Sequence, residues 1–216
     1  MRRALPTRRR RALRWGGISA GLRGALCLLL PLRLTPAAAH RQALADALAN
    51  PAETLCEAET PVGSRLILSK NADVVCLGSY QRDGWLNWTG PGLNILTRKA
   101  ERPFAFGYRD ERVRSGRDPD VYTTYPYVFG CVWDPAVKTL VVRLEVFDSP
   151  QAFEQTVTLT AEDLETGADG ERWFLLPLEP EMEMNAWRSS VTAYDSGGAP
   201  LGKQWGTGSW EEDDVP

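Results

Sequence analysis

The clearest pattern of hydrophobic and polar positions lies in residues 127–147, which read YVFGCVWDPAVKTLVVRLEVF. The second half of this segment alternates, and its apolar members share one face of a strand: Leu140, Val142, Leu144 and Val146. The first half is apolar on both faces, which is typical of a strand that is covered on both sides. Asp134 and Pro135 favour a turn between the halves. The pattern therefore predicts a β-hairpin.

Shorter strand-like segments fill much of the remaining chain, and turn-forming residues separate them. These segments are 55–59, 64–70, 74–80, 93–97, 103–108, 153–160, 173–176, 186–194 and 201–205, the last two predicted as a closing hairpin. A helical pattern occurs in residues 40–50, where Leu44 and Leu48 are four positions apart and Pro51 ends the helix. The sequence predicts an all-β fold, an antiparallel β-sandwich or open barrel, after a short N-terminal helix.

The first 39 residues differ in composition from the rest of the chain. They contain nine arginines and no acidic residue, then an apolar run at 24–32 and small residues up to Ala39. This order predicts a secretory signal peptide that is cleaved after Ala39, and a secreted or extracytoplasmic protein. The alternative is a retained anchor, although a spanning helix needs about 20 apolar residues. The predicted domains are the signal peptide at 1–39, the helix and lead-in at 40–61, the β-sandwich at 62–207 and an acidic tail at 208–216.

Removal of the leader makes the protein strongly acidic. The whole chain has 25 Lys and Arg against 28 Asp and Glu, a net charge of −3. Without the nine leader arginines the balance is 16 against 28, a net charge of −12. An acidic surface disfavours nucleic acid, because Lys and Arg supply most of the attraction to phosphates.

Cysteine and histidine are scarce in the predicted mature chain. Cys56, Cys76 and Cys131 either form one disulfide and leave one thiol free, or are all small buried side chains. Their wide spacing and the single histidine, His40, do not fit a zinc site, so we expect no metal and no cofactor. A Ser-His-Asp relay would depend on His40 alone.

Three short motifs carry a resemblance to other proteins. They are YPYVFGCVWDPAVK at 125–138, RWF at 172–174, and VTAYD at 191–195 followed by Gly198. Over roughly residues 62–206 the chain resembles a loose group of small exported proteins and lipoproteins of Gram-positive bacteria. The resemblance implies an extracytoplasmic β-domain and supplies no catalytic residue. The chain lacks the group's lipid-attachment cysteine, since the bulky Leu26 precedes Cys27, and this argues against a lipid tether.

Seven tryptophans follow the leader. Trp133, Trp173 and Trp187 lie in apolar strands and are expected in the core. Trp85 and Trp88 lie beside turn residues, where an exposed ring can stack on a sugar. These two are the candidate residues for carbohydrate binding.

Residues 109–120, RDERVRSGRDPD, are predicted to form one long polar loop. The candidate ligand-binding residues here are Arg112, Arg114 and Arg117, with Tyr108 and Tyr122 as flanking stacking faces. Guanidinium groups match the geometry of carboxylate and phosphate groups. The alternative is a solvated loop whose own acidic residues neutralise the arginines.

The expected function is that of an exported, non-catalytic binding or interaction module. One alternative is a carbohydrate-binding module that uses exposed tryptophans. Another is an acid-base glycoside hydrolase, which needs two carboxylates across a cleft. The candidate partners are a cell-wall polymer, a polysaccharide or another exported protein. Nucleic acid is not expected as a partner, nor is a transmembrane segment in the mature chain.

Overall fold

A computed structural model describes residues 33–48, 50–84, 87–114, 122–146, 153–167, 169–182, 187–206 and 209–210. Within these ranges the chain forms the helix α1 (Pro36–Ala47) and then antiparallel β-strands in three sheets. The prediction of an all-β, sandwich-like fold after a short helix is confirmed. No helix in the described part of the chain is both long and apolar enough to cross a bilayer.

The first sheet is formed by consecutive strands, whereas the chain alternates between the second and third sheets. The first sheet contains β1 (Glu53–Glu59), β2 (Arg65–Lys70), β3 (Val74–Asp83), β4 (Asn87–Thr89) and β5 (Leu93–Thr97). The second contains β6 (Phe104–Arg114), β7 (Tyr122–Val132), β10 (Glu165–Thr166), β11 (Arg172–Pro177) and β12 (Glu181–Met182). The third contains β8 (Thr139–Val146), β9 (Phe153–Thr160), β13 (Trp187–Tyr194), β14 (Pro200–Trp205) and β15 (Ser209–Trp210).

The second sheet is the middle layer, because it contributes to two separate hydrophobic cores. Phe104, Phe106 and Val128 pack with residues of the third sheet, among them Leu140 and Val191. The residues on the opposite face of β6 and β7, Ala105, Tyr127, Phe129 and Cys131, pack with Leu66, Leu68, Val75, Leu77 and Leu96 of the first sheet. The prediction that the strand at 127–133 is covered on both faces is therefore confirmed for β7.

The predicted hairpin across residues 127–147 is wrong, although both of its strands are present. β7 pairs with β6, β11 and β12 in the second sheet, whereas β8 pairs with β9 and β13 in the third. The intervening turn leads the chain from one layer to the next. Arg172 holds this connection, since its guanidinium donates to the carbonyl oxygens of Val137 and Asp134, each at 2.8 Å.

The predicted loop at 109–120 is wrong over its first half. Residues 109–114 continue β6 and pair with residues 122–127 of β7, from Arg109 opposite Tyr127 to Arg114 opposite Tyr122. Cross-strand pairing satisfies the backbone of this polar segment. Glu111 is buried within it, whereas Arg112, Val113 and Arg114 are exposed. Residues 115–120 lie outside the described residues.

Helix α1 covers the outer face of the first sheet. It begins earlier than predicted, with Thr35 as N-cap, so it runs across the predicted cleavage site after Ala39. Ala39 packs with Ile67 and Tyr80, and His40 is 1% exposed. The two ring nitrogens of His40 bond to the Tyr80 hydroxyl at 2.9 Å and the Ser69 hydroxyl at 2.7 Å. His40 is thus a structural link between the helix and the sheet.

Two glycines permit close packing in these layers. A Cβ on Gly78 would lie 2.6 Å from the Tyr80 ring and 2.8 Å from Nδ1 of His40. A Cβ on Gly130 would lie 2.4 Å from the carbonyl oxygen of Ala105. A larger residue would require Tyr80 and His40 to move at position 78, and the adjacent strand β6 to move at position 130.

The three described cysteines are free thiols. Cys76 and Cys131 are buried and Cys56 is half-buried. Burial raises the pKa of the Cys76 thiol to about 11 and that of Cys131 to about 12. Of the two alternatives that the sequence leaves open, the disulfide is not observed among these three cysteines, and the prediction of small buried side chains holds for Cys76 and Cys131 but only in part for Cys56.

Candidate functional site

A polar pocket occupies one end of the space between the first and second sheets. In the middle of this space the inward-facing residues of the strands are apolar. Towards one end of the space, the residues on the same strand faces become polar. On β6 the face of Ala105 and Gly107 continues with Arg109 and Glu111. Ser79 continues the inward face of Leu77 on β3. The local strand pattern therefore brings charged side chains into an interior space.

Glu111 is held inside this space by hydroxyl groups. Glu111 is 7% exposed. Its carboxylate accepts hydrogen bonds from the hydroxyls of Ser64 and Ser79. The Ser64 hydroxyl also bonds to that of Thr60 at 2.7 Å. Donors of this kind offset the cost of removing a carboxylate from water.

Arg109 lies on the same face of β6 and is only partly satisfied. Its Nη1 donates to Oδ1 of Asn94 at 2.6 Å. Its Nε is buried and has no hydrogen-bond partner among the described residues. Burial lowers the pKa of Arg109, while Glu111 and Asp110 oppose the shift. A guanidinium stays protonated under such a shift, so this is a cationic donor with unused hydrogen-bonding capacity.

A cavity of about 400 Å³ adjoins these two side chains. Its lining also includes Gln81, Thr89, Gly90, Asp110 and Arg112. Gly90 is required for the close approach of this segment to β3, because a Cβ there would lie 2.0 Å from the carbonyl oxygen of Ser79. The volume falls in the range of small-molecule sites.

The charges in the lining are balanced. The lining contains two arginines, Arg109 and Arg112, and two carboxylates, Asp110 and Glu111. Nε of Arg112 donates to Oδ2 of Asp110 at 2.8 Å. Gln81 and Thr89 add an amide and a hydroxyl. The lining contains neither histidine nor cysteine, and the described residues include no group of three or more potential metal ligands. The arrangement can donate and accept hydrogen bonds to one ligand at the same time.

The residues predicted from the sequence as a site are dispersed, and one of them, Arg112, lines the pocket. Trp88 precedes the lining residue Thr89 but is half-buried against Ala39, Ile67 and Tyr80. Tyr108 is 3% exposed, in the core between the second and third sheets, so it offers no stacking face.

The other predicted residues lie farther along β6 and β7 or outside the described residues. Arg114 is exposed and Tyr122 is half-buried, and the two face each other across the strands. Trp85 and Arg117 lie outside the described residues.

Sequence reasoning missed Glu111, Ser64 and Ser79 as residues that hold the pocket, and it placed Arg109 in a polar loop. A signal was present, because positions 105, 107, 109 and 111 alternate with the apolar Phe104, Phe106 and Tyr108. Assignment of 109–114 to a loop ended the alternation too early. Extension of the strand would have placed Arg109 and Glu111 on the inward face.

Comparisons of the chain with protein-family models, with curated proteins and with solved structures found no match.

Proposed function

We propose that this is an exported, non-catalytic binding protein and that the pocket beside β6 is its ligand site. The observation that carries the proposal is the buried Nε–H of Arg109, which lacks a partner among the described residues and lies next to a cavity that also contains the Glu111 carboxylate. A buried donor without a partner costs about 1–3 kcal/mol. A ligand oxygen that accepts this hydrogen bond would recover that free energy.

The balanced charges favour a small, uncharged, polyhydroxylated ligand of the sugar class. Each hydroxyl group both donates and accepts, so neighbouring hydroxyls can bond to a guanidinium and a carboxylate together. A purely anionic ligand would be opposed by Asp110 and Glu111, and a cationic one by Arg109 and Arg112.

The pocket residues give less support to the two alternative functions, a carbohydrate-binding module that uses exposed tryptophans and an acid-base hydrolase. A carbohydrate-binding surface on Trp88 would require a ring that is already packed against α1 and the first sheet. An acid-base hydrolase requires two carboxylates that exchange protons with a substrate. Glu111 is instead an acceptor for two serine hydroxyls in a nearly buried position.

Thermal unfolding in the presence of monosaccharides tests the proposal. We expect glucose, galactose or N-acetylglucosamine to raise the Tm of the purified protein. At about 100 times its Kd, a ligand adds about 2.7 kcal/mol, or roughly 5–10 °C for a chain of this size. Arg109→Met, which retains the aliphatic stem, should abolish the rise. Thr89→Val, a nearly isosteric change in the lining, should reduce it.

Arg65→Met is the matched control, because Arg65 forms an ion pair with Glu59 at 2.8 Å outside the pocket. It should keep the full ligand-dependent rise. An undiminished rise in both Arg109→Met and Thr89→Val would exclude the pocket. If citrate raised the Tm and no sugar did, the ligand of the pocket would be anionic and not uncharged.

A further inference from the structure

The third sheet has a basic groove on the face that points away from the second sheet. The groove has a volume of about 320 Å³, and the lining residues that matter here are Val141, Arg143, Ser190, Thr192, Tyr194 and Lys203. It crosses β8, β13 and β14, whereas the inward side chains of these strands, such as Val142 and Val191, are in the core. The groove is therefore separate from the pocket beside β6 and shares no lining residue with it.

Strand register fixes the positions of the two cations. Arg143 lies opposite Ser190, and Thr192 lies between Val141 on β8 and Lys203 on β14. Arg143 and Lys203 are thus separated by two strand spacings and by two residues along the strands. With strands ~4.8 Å apart and a rise of ~3.3 Å per residue, their Cα atoms are roughly 12 Å apart. The two cations therefore lie on opposite sides of the groove, on β8 and β14.

The charge of the groove contrasts with that of the chain. Among the described residues, its lining contains two cations and no carboxylate, on a chain with a net charge of −3. Arg143 pairs with Glu154 at 2.9 Å, but both side chains are about half exposed. Such a pair contributes about 0–1 kcal/mol, so a ligand carboxylate can replace Glu154 at small cost.

An aromatic ring holds basic groups at one end of this face. Nζ of Lys203 lies 4.0 Å from the ring centroid of Trp205, and the guanidinium carbon of Arg188 lies 4.6 Å from the same centroid. Cation–π contacts of this kind keep a flexible lysine close to the sheet surface. The positive charge beside the groove is therefore localised rather than dispersed in solvent.

We propose that the basic groove binds a carboxylate-bearing polysaccharide. Arg143 and Lys203 would bind carboxylates on separate sugar units, and the hydroxyls of the half-buried Thr192 and Tyr194 would bond to sugar hydroxyls between them. The groove offers two cations to a chain-like ligand, which suits a polymer with widely spaced charges. A nucleic acid has one charge per ~1.7 Å, and the acidic remainder of the protein would repel it.

The test compares two double variants that remove the same charge. Arg143→Gln with Lys203→Gln alters the groove. Arg65→Gln with Lys99→Gln is the matched control, since Arg65 also pairs with a glutamate and Lys99 is exposed away from this sheet. Affinity for soluble polygalacturonate is measured at low ionic strength, with dextran as the uncharged polymer and duplex DNA as the alternative polyanion.

We expect the native chain and the control to bind polygalacturonate equally and the groove variant to bind about tenfold more weakly, with unchanged unfolding midpoints. The affinity of Lys203→Gln alone should lie between that of the native chain and that of the groove variant. Binding should weaken with added salt, because both cations are at the surface. Equal affinities of the two double variants for polygalacturonate, an equal loss of dextran binding in the groove variant, or tighter binding of DNA than of polygalacturonate would each overturn the proposal. Dextran binding that the groove variant retains belongs to the pocket beside β6 and leaves the groove proposal intact.

Discussion

Val142 and Arg143 are neighbours in β8 with opposite environments. Val142 is 1% exposed in the core between the second and third sheets, and Arg143 is exposed beside Glu154. Val142→Asp should therefore lower the free energy of unfolding by several kcal/mol, a large part of the stability of a domain. Arg143→Asp should cost about 0.5–1 kcal/mol, because an exposed ion pair is lost and two carboxylates become neighbours. Urea unfolding measures both, and similar midpoints would contradict the assigned alternation.

His40 should make stability depend on pH. Burial lowers the pKa of His40 from 6.5 to about 4, so between these values the unfolded chain binds a proton that the folded chain does not. The free energy of unfolding should then fall by up to about 3 kcal/mol as the pH falls from 6.5 to 4. Above pH 6.5 the free energy of unfolding includes the whole of this stabilisation.

The control for this prediction is His40→Gln, which does not titrate. It should be less stable than the native chain at pH 7, because the bonds to Tyr80 and Ser69 are altered. Its loss of stability towards pH 4 should be smaller. Parallel profiles of the two proteins from pH 7 to 4 would show that His40 is not the responsible group.

At the scale of an element, α1 depends on residues before the predicted cleavage site. The Thr35 hydroxyl accepts from Ala38 N at 3.1 Å, Ala39 is fully buried, and the carbonyl of Arg33 accepts from Trp88 N at 2.9 Å. A chain that begins at His40 should be about 2 kcal/mol less stable than one that begins at Arg33, because it loses a helix cap and apolar burial.

Thermal unfolding of the two chains measures this difference, expected as roughly 4–8 °C in Tm. Equal Tm values would mean that α1 does not need its first turn. Cleavage after Ala39 itself remains a prediction, and the intact mass of the exported protein tests it. A product that retains residues 1–39 would contradict it and would also remove the inferred charge of −12.

The strands show how far local sequence determines an element. β5 at Leu93–Thr97 and β9 at Phe153–Thr160 have the predicted bounds, and the closing pair β13 and β14 is formed as predicted. Alternation and turn chemistry act over a few residues, so they can be recognised from the sequence. The partner of β7 could not be recognised in this way. Its pairing with β6 and β11, rather than β8, depends on residues distant in the chain.

For the whole molecule, an ion network ties the first sheet to the second at the end opposite the candidate pocket. Lys70, whose side chain is 4% exposed, bonds to Asp169 and lies 3.3 Å from Glu171, which also bonds to Arg98. Burial opposes the charge of Lys70, but its hydrogen bonds to Asp169 and Glu171 outweigh this and raise its pKa. The interior between these two sheets thus has polar groups at both ends.

Lys70→Met should lower the free energy of unfolding by about 1–3 kcal/mol, because the contacts between the layers are lost. The cost is limited because Glu171 keeps Arg98 as a partner. Arg65→Met, which breaks the exposed pair with Glu59, should cost about 0.5 kcal/mol or less. Chemical unfolding of the two variants measures the difference. A larger loss in Arg65→Met than in Lys70→Met would contradict the bridging role.

Local sequence patterns were sufficient to predict the fold class, the position of most strands, the burial of both faces of β7 and the presence of a short helix. These properties follow from interactions between residues a few positions apart. Packing of the layers was needed to show that β7 and β8 lie in different sheets, that β6 extends through Arg114, and that Ser64 and Ser79 bond to Glu111. Those contacts of Glu111 join residues separated by 47 and 32 positions. They form because the layers pack together as a whole, and no local pattern encodes which polar side chains share the space between two sheets.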